Sequence, residues 1–87
     1  MPGMATTAEM NRLRTLRGTE ADVYFLQLML RHHEGGMPMM AYAADPANVS
    51  QDYVRALATA MEQTQAKEIT VIEQMLAERN AAPLPMN

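Results

Sequence analysis

The chain has 87 residues, a formal charge of −3, and neither cysteine nor tryptophan. Its length fits one domain near the lower limit of independent folding. The acidic balance excludes strong electrostatic attraction to nucleic acid, and the missing cysteine excludes disulfide frameworks and thiolate metal sites. Hydrophobic residues are 48% of the chain but aromatics only 5%, so the apolar mass is Ala, Leu and Met, which favour helices over strands.

The opening Met-Pro-Gly-Met lacks the charged and apolar regions of a secretion signal. The expectation is a cytosolic chain or one whose leader has been removed. Thr6 followed by Glu9 is a capping box, which predicts a first helix from about Thr7 to Leu16. Met10, Leu13 and Leu16 give it an apolar stripe, and Arg12, Arg14 and Arg17 read as a solvated face. Gly18 suits the left-handed residue that ends a helix.

Thr19 is expected to cap a second helix over about residues 20–44, with Glu20 and Asp22 near its positive end. Its apolar residues form two neighbouring stripes: Phe25, Met29, His32, Met39 and Ala43, and Leu26, Leu30, His33, Met37, Met40 and Ala44. Pro38 lies inside this pattern, after Gly35 and Gly36, and removes the donor for the Glu34 carbonyl, so a kink is expected there.

Asp45-Pro46-Ala47-Asn48 is a turn, and Ser50 is expected to cap a third helix over about residues 51–79. Val54, Leu57, Ala58, Met61, Ile69, Ile72, Met75 and Leu76 are its predicted inner face. Residues 81–87, with Pro83 and Pro85, read as a frayed tail. No apolar run reaches the about 18 residues of a membrane-spanning helix. Two long helices joined by a short turn pack antiparallel and leave apolar surface uncovered, so two hairpins are expected to pair into a four-helix bundle.

Ser50 is the only serine and holds a capping position, so with no Cys neither nucleophilic triad can be assembled. No phosphate-binding glycine loop is present. A di-iron carboxylate bundle needs Glu-x-x-His, but Met29 and Leu30 stand three positions before His32 and His33. No enzyme is therefore expected.

Ten of the residues are methionine, and Met29, Met37, Met39 and Met40 lie around the adjacent histidines. Thioether is a soft ligand and imidazole suits copper, so His32, His33, Met29, Met37, Met39 and Met40 are candidate ligands for Cu(I) or Ag(I). The alternative is that Met fills core gaps and His is a hydrogen-bonded core residue. On the third helix Gln65 and Glu68 interrupt an apolar stripe. Counting back from the turn places Met61 level with His33 and Gln65 level with Met29. Gln65 or Glu68 can then hydrogen-bond a histidine and fix its tautomer, or act only as a buried polar contact that sets helix register.

Met10-x-x-Leu13, Gly18, Asp22, Phe25-Leu26-x-Leu28-Met29-x-Arg31-His32-His33-Glu34-Gly35, Met39 and Gln65-x-x-Glu68-Ile69 resemble the bacterial domain of unknown function family 305. The resemblance runs from about Thr7 to Leu76. It implies a ferritin-type helical bundle, export to the periplasm or cell exterior, and for some members copper binding or resistance. It places His32, His33, Met29 and Met39 at motif positions, with Asp22 a further matched residue in a supporting role. Many members carry two His-His halves, so this chain is similar to one half. Gly36, Pro38, Met37 and Met40 depart from the pattern, the last two by adding sulfur.

The resulting expectation is an all-α hairpin with a short N-terminal helix that dimerises into a four-helix bundle. Its expected role is that of a non-catalytic copper-binding module. The alternative is a structural or protein-interaction module without metal.

Overall fold

The computed structural model describes residues 3–87. Met1 and Pro2, which open the segment read above for a secretion signal, lie outside the described residues. Three helices follow in order, α1 (Thr7–Thr15), α2 (Gly18–Ala44) and α3 (Asp52–Glu78), with no strand among the described residues. No helix among them is long and apolar enough to cross a membrane.

The capping box forms as its spacing predicts. The Thr6 hydroxyl accepts from the Glu9 N–H at 3.1 Å, and the Glu9 carboxylate accepts from the Thr6 N–H at 2.9 Å. Gly18 takes φ +60°, a left-handed conformation that costs glycine nothing. Thr19 does not cap α2. The helix already includes Gly18, and the residue before it, Arg17, makes no capping contact. The Arg17 guanidinium instead turns back to the Arg14 and Leu16 carbonyls, both at 2.7 Å, satisfying acceptors at the end of α1.

α2 runs unbroken through Pro38, whose ring is exposed. Its end is closed by the Asn48 amide, which donates to the Tyr42 carbonyl at 3.1 Å, while Asp45 accepts from the Ala47 N–H at 2.9 Å. α3 begins at Asp52 rather than directly after Ser50. The Val54 and Arg55 N–H groups both donate to the Gln51 carbonyl, and the Arg55 guanidinium pairs with Asp52, so Ser50 is left exposed outside the helix.

α2 and α3 pack along their lengths, with Leu30 and Leu76 each only 1% exposed. The inner face of α3 is narrower than the spacing predicts. Ala58 and Leu76 are buried and Val54, Ile69 and Ile72 half-buried, but Leu57, Met61 and Met75 are exposed. Two cylinders touch along one strip, and residues about 100° away stay outside it. The radius of gyration, 15.1 Å, exceeds the roughly 12 Å of a compact chain this long, and the thinnest dimension is 18 Å.

The other side of α2 is covered by the chain's ends. Arg31 is buried there, and its guanidinium meets the Glu9 carboxylate at 2.5 Å. Gly3 lies so close that a Cβ on it would sit 2.5 Å from the Arg31 carbonyl oxygen, and its φ of +88° also suits glycine. The residues 81–87 segment is not frayed. Gln27 donates to the Ala82 carbonyl at 2.7 Å, and the Asn87 side chain accepts from the Gly3 N–H at 3.0 Å and donates to the Met4 carbonyl at 2.9 Å. Hydrogen bonds to partners distant in sequence, which composition does not reveal, hold this segment against α2 and the chain start.

The Arg31 hydrogen bond, followed by that from the Thr6 N–H, holds the Glu9 carboxyl at about 2 against an ordinary 4.5. A carboxyl lowered on folding stabilises fully above its unfolded value and loses that contribution as pH falls through its folded value. The stability difference between the parent and Glu9→Gln should therefore be constant above pH 4.5 and shrink as pH falls toward about 2. Urea midpoints measured across that range check this; a difference that grows on acidification refutes it.

Candidate functional site

The Met/His segment sits at mid-length in α2. Successive helical positions diverge by about 100°, and the two histidine rings are 6.3 Å apart with planes inclined by 71°. They serve different surroundings.

His33 points inward and is 7% exposed. Its Nδ1 lies 2.8 Å from the Met29 carbonyl oxygen, and its Nε2 lies 3.0 Å from the Glu68 carboxylate. A carbonyl only accepts, so Nδ1 carries a hydrogen. The contact between Nε2 and the Glu68 carboxylate ties α2 to α3. Both ring nitrogens are thus engaged inside the hairpin, away from the His32 side.

Gln65 sits beside this contact. Its Oε1 is buried without a hydrogen-bond partner among the described residues, and it lies 3.5 Å from where a Cβ on Gly36 would be. The pairings His33–Glu68 and Gly36–Gln65 place α3 seven residues further along α2 than counting from the turn predicts. Met61 is accordingly level with Met40 rather than His33, and Gln65 with Gly36 rather than Met29. The path of the Asp45–Gln51 loop, not symmetry about its midpoint, sets where α3 starts.

His32 is exposed and faces the other way. It borders a recess of about 190 Å³ with Met29, Phe25 and Leu28 of α2, Met10 and Leu13 of α1, and Ala5. One imidazole and two thioethers share an otherwise apolar lining, and no carboxylate faces them there. Arg12 helps to seat α1 at this junction, its guanidinium lying 4.9 Å from the centre of the Tyr24 ring. A larger recess, about 370 Å³, lies nearby between Arg12, Leu16, Glu20 and Tyr24 and is lined by no soft donor.

Met39 and Met40 line a third hollow, near the α2–α3 loop, with Met61 of α3. Met37 is half-buried and borders neither methionine recess. Asp22 is exposed, ten residues before His32 and so about 15 Å away along the helix. The six candidate ligands are therefore not one cluster. Helical divergence sends them to separate neighbours, and Asp22 is too far along α2 to support any of them. No three His, Asp or Glu side chains gather as a ligand set among the described residues.

Residues 1–76 match the family described as Domain of unknown function (DUF305). The chain belongs to the DUF305 family. A crystal structure of a DUF305 protein from Streptomyces coelicolor, described as secreted, superposes with a TM-score of 0.89 at 42% identity, covering 98% of this chain. The chain spans 51% of that protein's length. No curated protein matches.

Within this DUF305 domain, Met10 and Met61 are the methionines beside the α2 set that spacing did not join to it. Met10 was legible as part of the α1 stripe beside Leu13, and Met61 as part of the α3 stripe. What put each beside an α2 methionine is how the helices dock, which one-helix periodicity does not contain.

Glu68 is the half-exposed partner of a buried ring. Glu68→Ala should lower stability by about 1 kcal/mol, the scale of a lost hydrogen bond whose site water can partly reach. Glu68→Gln, which keeps an accepting oxygen, should lose less. Denaturant midpoints of the two variants decide; a Glu68→Ala protein as stable as the parent would show that the contact is idle.

Proposed function

We propose that this DUF305 domain is a non-catalytic Cu(I)-binding module whose ligands are His32, Met29 and Met10. The observation that supports it is the recess where one imidazole and two thioethers, drawn from two helices, meet in an apolar lining. Neutral soft donors suit Cu(I), and their uncharged walls offer little to a hard cation that needs oxygen ligands. Bound copper would supply charge and coordination there, while Leu13, Leu28 and Phe25 limit access of water. His33 serves instead as the link from α2 to α3. Action outside the cytoplasm accords with the Streptomyces relative described as secreted.

The domain works as a homodimer in this reading. Phe25 and Met39 of α2 and Leu57, Met61, Val71 and Met75 of α3 are exposed by 39–61%. Within each helix these positions share one face, and Met39, Leu57 and Met61 line one hollow across the two helices. The relative carries about as much chain again, since this one spans 51% of it. A second copy closing face to face supplies the other two helices of a four-helix bundle.

Anaerobic Cu(I) titration against a competing chelator tests the site. Loss of an outer-sphere partner already costs about 10- to 100-fold in metal affinity, so His32→Leu should weaken binding about tenfold or more. Met10→Leu and Met29→Leu should each weaken it too, and His33→Leu should lower stability with less effect on affinity. Undiminished Cu(I) binding by His32→Leu overturns the assignment and favours the metal-free interaction module.

Sedimentation at micromolar concentration should give a dimer, and Leu57→Glu with Val71→Glu should give a monomer. A parent protein that sediments as a monomer refutes the pairing.

A further inference from the structure

The hollow near the α2–α3 loop is independent of the histidine recess. It measures about 190 Å³ and is lined by Met39, Met40, Met61 and four aliphatic residues, Ala43, Val54, Leu57 and Ala58. We infer that Met39, Met40 and Met61 form a second, thioether-only site for a soft monovalent cation of the Cu(I) or Ag(I) type.

Neighbouring positions on α2 diverge by about 100°, yet Met39 and Met40 both reach this hollow because it lies in the groove toward α3. Met40 is 5% exposed and forms the floor, and its methyl lies 3.6 Å from where a Cβ on Gly36 would sit. Met39 and Met61, 58% and 45% exposed, form the rim. Within one chain two of the three methionines are therefore rim residues rather than part of a sealed core, and in the proposed dimer the second copy lies over that rim. The flexible, unbranched side chains let the sulfurs swing toward a common centre.

The lining offers no oxygen or nitrogen side chain. Magnesium and calcium require oxygen donors, and thioether sulfur selects soft ions. His32 stands seven residues, or about 10 Å of helix, before Met39, so this hollow owes nothing to the imidazole. Thioethers carry no titratable proton. Metal held by imidazole competes with protons, whereas metal held by three thioethers does not. The two sites therefore separate by pH.

Silver(I) in chloride-free buffer, followed by methionine methyl NMR of the intact chain, tests this. At about pH 5, below the ordinary imidazole range, about one equivalent per chain should bind and shift the methyl signals of Met39, Met40 and Met61. Those of Met10 and Met29 should stay in place. At neutral pH about one further equivalent should bind and shift Met10 and Met29. A Met39→Leu, Met61→Leu protein, close in volume to the parent and checked for helix content, should lose the acid-resistant equivalent and keep the other. His32→Leu should do the reverse. Unmoved Met39, Met40 and Met61 methyls at about pH 5 overturn the inference, as does undiminished acid-stage binding by the double variant. If only the His32-dependent equivalent is missing, the copper assignment at Met10, Met29 and His32 falls and this site stands.

Discussion

Two antiparallel helices share a single strip of contact, and neither can bury more than one side of itself against the other. The rest of this molecule follows from that limit. α2 is apolar over more of its circumference than α3 can cover, so a second layer must be found for what remains. On one side the chain supplies it from its own ends, with α1, residues 3–5 and the segment after Ala81 laid across α2. On the other side nothing among the described residues does so, and Leu57, Val71 and Met75 of α3 stay open.

α2 is consequently a central post with a polar tie on each flank. Arg31 reaches Glu9 of α1 on one side, and His33 reaches Glu68 of α3 on the other. A buried polar group that lost its partner would be costly, so each tie penalises sliding or rotation of the helix it holds. Their value lies in fixing how the neighbours dock. That matters for the two methionine recesses, because Met10 and Met61 come to the α2 methionines only through those dockings.

Local chemistry was legible in the sequence where the partners are a few residues apart. Thr6 with Glu9, the left-handed Gly18 and the Asp45 turn are of this kind. Thr19 and Ser50 do not cap: the short-range contacts that form instead are Arg17 to the Arg14 and Leu16 carbonyls and Arg55 to Asp52, and residue type alone does not choose among such local options. The α2–α3 register depends on partners far apart in sequence. An offset of seven residues is close to two whole turns, so Glu68 and Gln65 were placed on the correct face of α3 but opposite the wrong level of α2. Periodicity reports angle around a helix and is nearly blind to displacement by whole turns. The candidate ligands inherited that blindness, and a set that looked continuous along one helix is divided among three neighbourhoods.

The Asn87 amide grips Gly3 and Met4 at 3.0 and 2.9 Å, so residues 3 and 87 adjoin on the back of α2. The fold thus has an almost closed outline, in which a linker of a few residues would join one end to the other without crossing the hairpin. Such an outline tolerates circular permutation, with new ends cut into the exposed loop around Pro46. It also lets duplicate hairpins be strung in tandem while the open face of each stays clear of the join.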